Sequence, residues 1–127
     1  MLQLSPFGTQ NWVQMFGTTG TDSAASLWVG PNDDIYVTGY TDGSGEFGVP
    51  LGGRDAFLLR ISPSGATIWE RRFGGPGNDY GIAVTLDPFG NVFVAGATDG
   101  ALGSGLSGSF GGLDAFAAKF SPSGALQ

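Results

Sequence analysis

The stretch GGPGNDYGIAVTLDPFGNVFVAGATDG, residues 74–100, decides the fold. Two β-rich runs, Tyr80 to Leu86 and Asn91 to Thr98, meet at Asp87-Pro88-Phe89-Gly90-Asn91. There proline sets φ, and Gly or Asn accepts the left-handed region, so the runs close as an antiparallel hairpin. Thr67 to Phe73 upstream and Asp114 to Phe120 downstream have the same strand character. Ser62-Pro63-Ser64-Gly65 is a second tight turn. No segment combines a helical apolar period, a cap and ten or more good formers, so the chain reads as all-β.

The same grammar occurs twice. Ser5-Pro6-Phe7-Gly8, Ser62-Pro63-Ser64-Gly65 and Ser121-Pro122-Ser123-Gly124 are spaced by 57 and then 59 residues. In that register Trp12 falls on Trp69, Phe16 on Phe73, Asp22 on Asp79, Pro31 on Pro88 and Val37 on Val94. Gly39-Tyr40-Thr41-Asp42 falls on Gly96-Ala97-Thr98-Asp99, and Asp55-Ala56-Phe57 on Asp114-Ala115-Phe116. The two extra residues of the second copy lie in the Gly/Ser-rich stretch 100–112, which marks it as a loop. Four short antiparallel strands in a repeat of this length describe a β-propeller blade.

The ordered set GxxxD, DP.GN.(Y/F)V.G, DAF and SPSG resembles the SBBP-type β-propeller repeats of bacteria and archaea over essentially the whole chain. The first copy departs from it: Gly30 replaces the Asp before Pro31, Asp33 replaces the turn glycine, and Ser23 stands where the second copy has Tyr80. The resemblance implies the fold, a frequent occurrence in secreted or cell-surface proteins, and no common chemical activity.

Composition narrows the function classes. Of 127 residues 24 are glycine, with no Gly-X-Y period, and there is no cysteine or histidine. Thiol nucleophiles, thiolate metal sites and the commonest general base are therefore missing, and the expectation is a non-enzymatic protein. A formal charge of −6 has the wrong sign for nucleic acid or an anionic membrane. No apolar run is long enough to span a bilayer, and the first twelve residues lack the basic and apolar regions of a secretory signal.

Blade strands fall out of phase with the numbering. Residues 11–16 match the outermost strand; 23–29, 34–41, 55–61 and 67–73 make a full blade; 80–86, 91–98 and 114–120 are the three inner strands of another. Residues 1–127 are thus expected to form a single two-blade unit. Residues 1–17 hold an orphan outer strand donated to a neighbouring blade, 18–74 form blade 1, and 75–127 form blade 2 without its outer strand. Unpaired edges and apolar blade faces favour head-to-tail association of identical chains. Even blade numbers give a six- or eight-bladed ring of three or four chains, the tetramer preferred, or a filament if the rotation does not close. The chain also reads as a segment of a longer secreted propeller.

Candidate ligand residues are few. Asp22, Asp42, Asp79 and Asp99 fall at one end of their blades, where carboxylates suit Ca²⁺ or sugar hydroxyls, or close turns through Asx hydrogen bonds. Asp55 and Asp114 open strands and are expected to bond backbone amides. Trp12 and Trp69, with Phe16 and Phe73, alternate as core residues do and are the alternative platforms for a carbohydrate. Trp28, whose repeat mate is Thr85, is the single aromatic expected to line or plug a channel. Arg71 and Arg72 read as a solvated edge that discourages strand pairing. The glycine-rich stretch 100–112 lacks the Gly-Lys-Ser/Thr ending and helix of a phosphate-binding loop.

Overall fold

A computed structural model describes residues 1–102 and 110–127. The described residues contain nine strands and no helix: β1 (Leu2–Leu4), β2 (Gln10–Val13), β3 (Asp22–Val29), β4 (Ile35–Thr41), β5 (Asp55–Ile61), β6 (Thr67–Phe73), β7 (Asp79–Leu86), β8 (Val92–Thr98) and β9 (Asp114–Phe120). Strands β3-β4-β5-β6 form one antiparallel sheet, blade 1; β7-β8-β9 form blade 2; and β1-β2 form a separate hairpin. These antiparallel sheets are consistent with propeller-like blades. The extra residues of the second copy lie largely outside the described residues.

Turn chemistry explains the hairpins. At each Ser-Pro-x-Gly the serine amide donates to the carbonyl four residues on, at 2.7 Å for Ser5 and 2.8 Å for Ser62 and Ser121. The serine Oγ accepts from that residue's amide at 3.1 Å in all three, and the glycine takes φ of 79°, 89° and 82°. Where the second copy closes its turn with Gly90 at φ 81°, the first uses Asp33 at φ 60°, a conformation Asp tolerates better than most residues.

The N-terminal strand is not an orphan. It pairs with β1, with Leu2 opposite Val13 and Gln3 opposite Trp12. A three-residue strand is too short to show alternation, but the Ser5 turn dictates it, because that turn folds the chain back on itself wherever it occurs. The innermost strands also carry matching bulges, between Ala24 and Ser26 and between Gly81 and Ala83.

Blade 1 has two apolar faces. On one, Tyr36, Leu58, Trp69 and Phe73 pack against Val84, Val92, Val94 and Phe120 of blade 2. On the other, Ile35, Val37, Phe57, Leu59 and Ile61 form a second core with Phe47, which stacks on Phe57, and this core is covered by Met1, Trp12 and Phe16. Sheets approach closely at Gly81, where an added Cβ would run into Thr38 Oγ1. Trp69 is core, as its period-2 placement predicts; Trp12 is only half-buried. Trp69 Nε1 donates to the carbonyl of Pro122 at 3.2 Å, so Trp69→Ala should cost about 3–5 kcal/mol in denaturant unfolding and Trp12→Ala about half as much.

Candidate functional site

The seam between the blades gathers the polar residues of the fold at the end that bears the β3-preceding and β4-following loops. Those loops zip together in each blade. Thr21 N donates to Asp42 Oδ1 at 2.6 Å, and Asn78 N donates to Asp99 Oδ1 at 2.6 Å while its side-chain amide reaches Asp99 Oδ2 at 2.7 Å. Asp22 Oδ2 accepts from Thr18 N, and Asp79 Oδ2 from Gly75 N, both at 2.8 Å. All four aspartates therefore close turns with backbone amides. Among the described residues no three or more Asp, Glu, His or Cys side chains converge as a metal-holding group.

These bonds tune the carboxyls. The Asn78 side chain, then its amide, hold Asp99 below the ordinary carboxylate range. Partial burial pulls Asp22 up, but bonds from Thr41 and Thr18 outweigh it and leave the group lowered.

Blade 1 holds a buried ion pair, on the face turned away from blade 2, that period and composition do not reveal. Asp55 and Asp79 are fully buried. Arg72 Nε lies 2.9 Å from Asp55 Oδ2, an ion pair whose N–H is not aligned for a hydrogen bond, and both side chains are sequestered. Leu51 N donates to the same Asp55 oxygen at 2.9 Å, as the amide expectation for this residue required. Oδ1 of Asp55 and Oδ1 of Asp79 have no donor. The remaining Arg72 nitrogens donate to the carbonyls of Gly43 at 2.8 Å and Gly48 at 3.0 Å.

The reading of Arg71 and Arg72 as a solvated edge is thus corrected. Arg72 is buried on one face of β6. Arg71, on the other, donates from Nε to the carbonyl of Gly124 at 2.7 Å and from Nη2 to that of Ser123 at 3.0 Å. Arg60 joins them, pairing with Asp34 Oδ2 at 2.6 Å and donating to Pro122 O at 3.0 Å. Alternation separates the two arginines correctly; it carries no information about what stands opposite each face.

Above the buried layer is an accessible cluster missed by the sequence reading. Arg54 lies 4.8 Å from the Tyr40 ring centroid and 5.8 Å from that of Tyr80, and its Nη1 donates to Tyr80 Oη at 3.3 Å. The rings meet edge to face at 5.4 Å, and the Asp42 charge acts on the guanidinium. A signal existed in the repeat register, since Tyr40 is matched by Ala97 and Tyr80 by Ser23: the cluster is built only where these two blades meet. Trp28 stands on β3 opposite Tyr36 and is 44% exposed. Asp114 Oδ2 accepts from Phe110 N at 2.8 Å, at the margin of the described residues. Most of the glycine-rich stretch 100–112 lies outside them.

Residues 68–103 match the family model described as SBBP, Beta-propeller repeat. No curated protein matches the chain. Among the described residues no helix is long and apolar enough to cross a membrane.

Burial, reinforced by the Asp79 charge, raises Asp55 above the ordinary carboxylate range against the opposing Leu51 and Gly52 amides and Arg72. A carboxyl raised on folding contributes stability below its unfolded pKa and loses it as pH rises through the folded value. Asp22 and Asp99, lowered on folding, act in the opposite sense. Asp55→Asn should therefore gain stability relative to the parent as pH climbs from about 4 to about 7, measured by denaturant unfolding at each pH. Calcium at millimolar concentration should leave the thermal midpoint unchanged, because the turn aspartates are spent on amides; a rise abolished by Asp79→Asn with Asp99→Asn would reinstate a calcium site.

Proposed function

We propose that this chain, which carries a beta-propeller repeat, is a non-enzymatic binding or scaffold module whose two-blade unit associates head to tail with copies of itself. One observation carries the reading. Leu27 and Val29 on β3 are 54% and 53% exposed, whereas Val84, the repeat mate of Leu27, is 6% exposed beneath blade 1. An apolar blade face is stable in water only when a further blade covers it.

The reading as a binding module draws on the accessible Tyr40, Arg54 and Tyr80 cluster. Aromatic rings, a guanidinium and the nearby Asp42 offer apolar contact together with donors and acceptors, the mixture that hydroxyl-rich ligands such as carbohydrates need. The non-enzymatic reading draws on the lack of histidine and cysteine and on aspartates committed to turns. Closed assemblies of two-blade units hold three or four chains, since six and eight blades are both within the range propellers adopt, and four is the preferred number.

Light-scattering mass across a concentration series tests this. A fixed three- or four-chain species is expected. A ladder that lengthens with concentration would mean that the same contact builds a filament, and a monomer at every concentration would overturn the assembly.

A further inference from the structure

We infer that the Tyr40, Arg54 and Tyr80 cluster recognises a carboxylate carried on a sugar ring, the uronate unit of an acidic polysaccharide, with Arg54 taking the carboxylate. The inference rests on the reading of this cluster as a binding site and names the ligand class that the site takes.

Arg54 is the exception among the four arginines of the chain. Arg60 pairs with Asp34 and Arg72 with Asp55. Arg71 spends Nε and both terminal nitrogens on the carbonyls of Gly124, Glu70 and Ser123. Arg54 makes one side-chain bond, from Nη1 to Tyr80 Oη, and among the described residues its Nε and Nη2 have no acceptor and no carboxylate lies within ion-pair distance of it. Arg60 turns that same pair of nitrogens to a carboxylate, Nε at 3.0 Å and Nη2 at 2.6 Å from Asp34 Oδ2. An unspent guanidinium edge of this kind matches the two oxygens of a carboxylate as a fork.

The guanidinium is held in place without being consumed. It stands over the Tyr40 ring at 4.8 Å, and Tyr80 Oη fixes one corner. The backbone beneath it is tied to blade 2 on both sides: Arg54 N donates to Asn78 Oδ1 at 3.1 Å, and Arg54 O accepts from Asp79 N at 2.7 Å. All three side chains are only half-buried. The blade framework does not require them, since the repeat holds Ala97, Leu113 and Ser23 at the corresponding positions. A cation and two rings placed together at one seam therefore serve something other than the packing of a blade.

Charge and ring contact choose among anions. Asp42 is held by Thr21 N through Oδ1, and its charge acts on the Arg54 guanidinium; the whole chain carries −6. A phosphate, with about twice the charge of a carboxylate, meets about twice that repulsion. A carboxylate on a pyranose meets it once, and it brings an apolar C–H face for the tyrosine rings that a bare anion lacks. Its hydroxyls also find an acceptor in the partly exposed Asp42 carboxylate.

Trigalacturonate and its fully methyl-esterified form, which keeps the rings and hydroxyls without the charge, are titrated into the full chain and followed by calorimetry and amide chemical shifts. The acid should bind at least about tenfold more tightly than the ester, with shifts centred on Tyr40, Arg54 and Tyr80. Arg54→Lys, which keeps the charge and loses the fork, should weaken the acid about tenfold and leave the ester unchanged, with a thermal midpoint near that of the parent. Undiminished binding of the acid by this variant overturns Arg54 as the partner of the carboxylate. Equal affinity of the parent for acid and ester overturns the carboxylate and leaves the cluster as a site for hydroxyl-rich ligands. Inorganic phosphate binding as tightly as trigalacturonate overturns the sugar. Shifts centred elsewhere, or no binding of either saccharide, overturn the inference and the binding-site reading together.

Discussion

The seam between consecutive blades is the contact on which the rest of the structure depends. A single twisted sheet with two apolar faces cannot hide either of them, so each blade is stable only against another layer. The apolar component is supplied by Tyr36, Leu58, Trp69 and Phe73 against Val84, Val92, Val94 and Phe120. Its register is set by polar pins. Trp69, Arg60 and Arg71 all donate to carbonyls of residues 122–124. The Pro122 carbonyl takes no part in the turn's own bonds, which run between Ser121 and Ala125 and between Gly124 and Ser121. The buried indole N–H thus meets an acceptor that it shares with Arg60, and the cost of burying it unpaired is avoided.

The buried ionic groups have a different character. Asp55, Arg72 and Asp79 place two carboxyls and one guanidinium out of water. Removing such groups from solvent costs about as much as their attraction returns, so the layer is better understood as alignment than as net stability. Arg72 ties β6 to the carbonyls of Gly43 and Gly48, while Asp79 N donates to Arg54 O at 2.7 Å and Gly53 N to Gly77 O at 2.9 Å. The last two bonds hold loops of both blades in one register next to Arg54.

Repetition supplies the parts, and departures from repetition make the positions unequal. Tyr40 and Arg54 have Ala97 and Leu113 as mates in blade 2, so the cation and ring cluster belongs to one seam. Trp28 faces Tyr36 in register where blade 2 pairs Thr85 with Phe93. The apolar framework is conserved between the copies in type and place, as Ile35 and Val92 or Val37 and Val94 show. The differences at Trp28, Tyr40 and Arg54 lie outside it, on the innermost strand and at the loop-bearing end.

Strand positions, turns and the repeat could be read from the sequence because they depend on neighbours within a few residues: proline fixing φ, glycine entering the left-handed region, serine and aspartate oxygens capturing nearby amides, and apolar residues alternating. The turn role of Asp22, Asp42, Asp79 and Asp99 and the core placement of Trp69 were legible on the same grounds. Alternation also assigns Arg71 and Arg72 to opposite faces, but not to a buried carboxylate and a distant turn. The pairing of β1 needed a chain reversal to give three residues a partner, and the Tyr40, Arg54 and Tyr80 cluster needed two loops from different blades to meet. These features were decided by tertiary structure, because burial, ion pairing and ring contact are properties of what lies across a seam, and local sequence constrains only the side of it on which a residue stands.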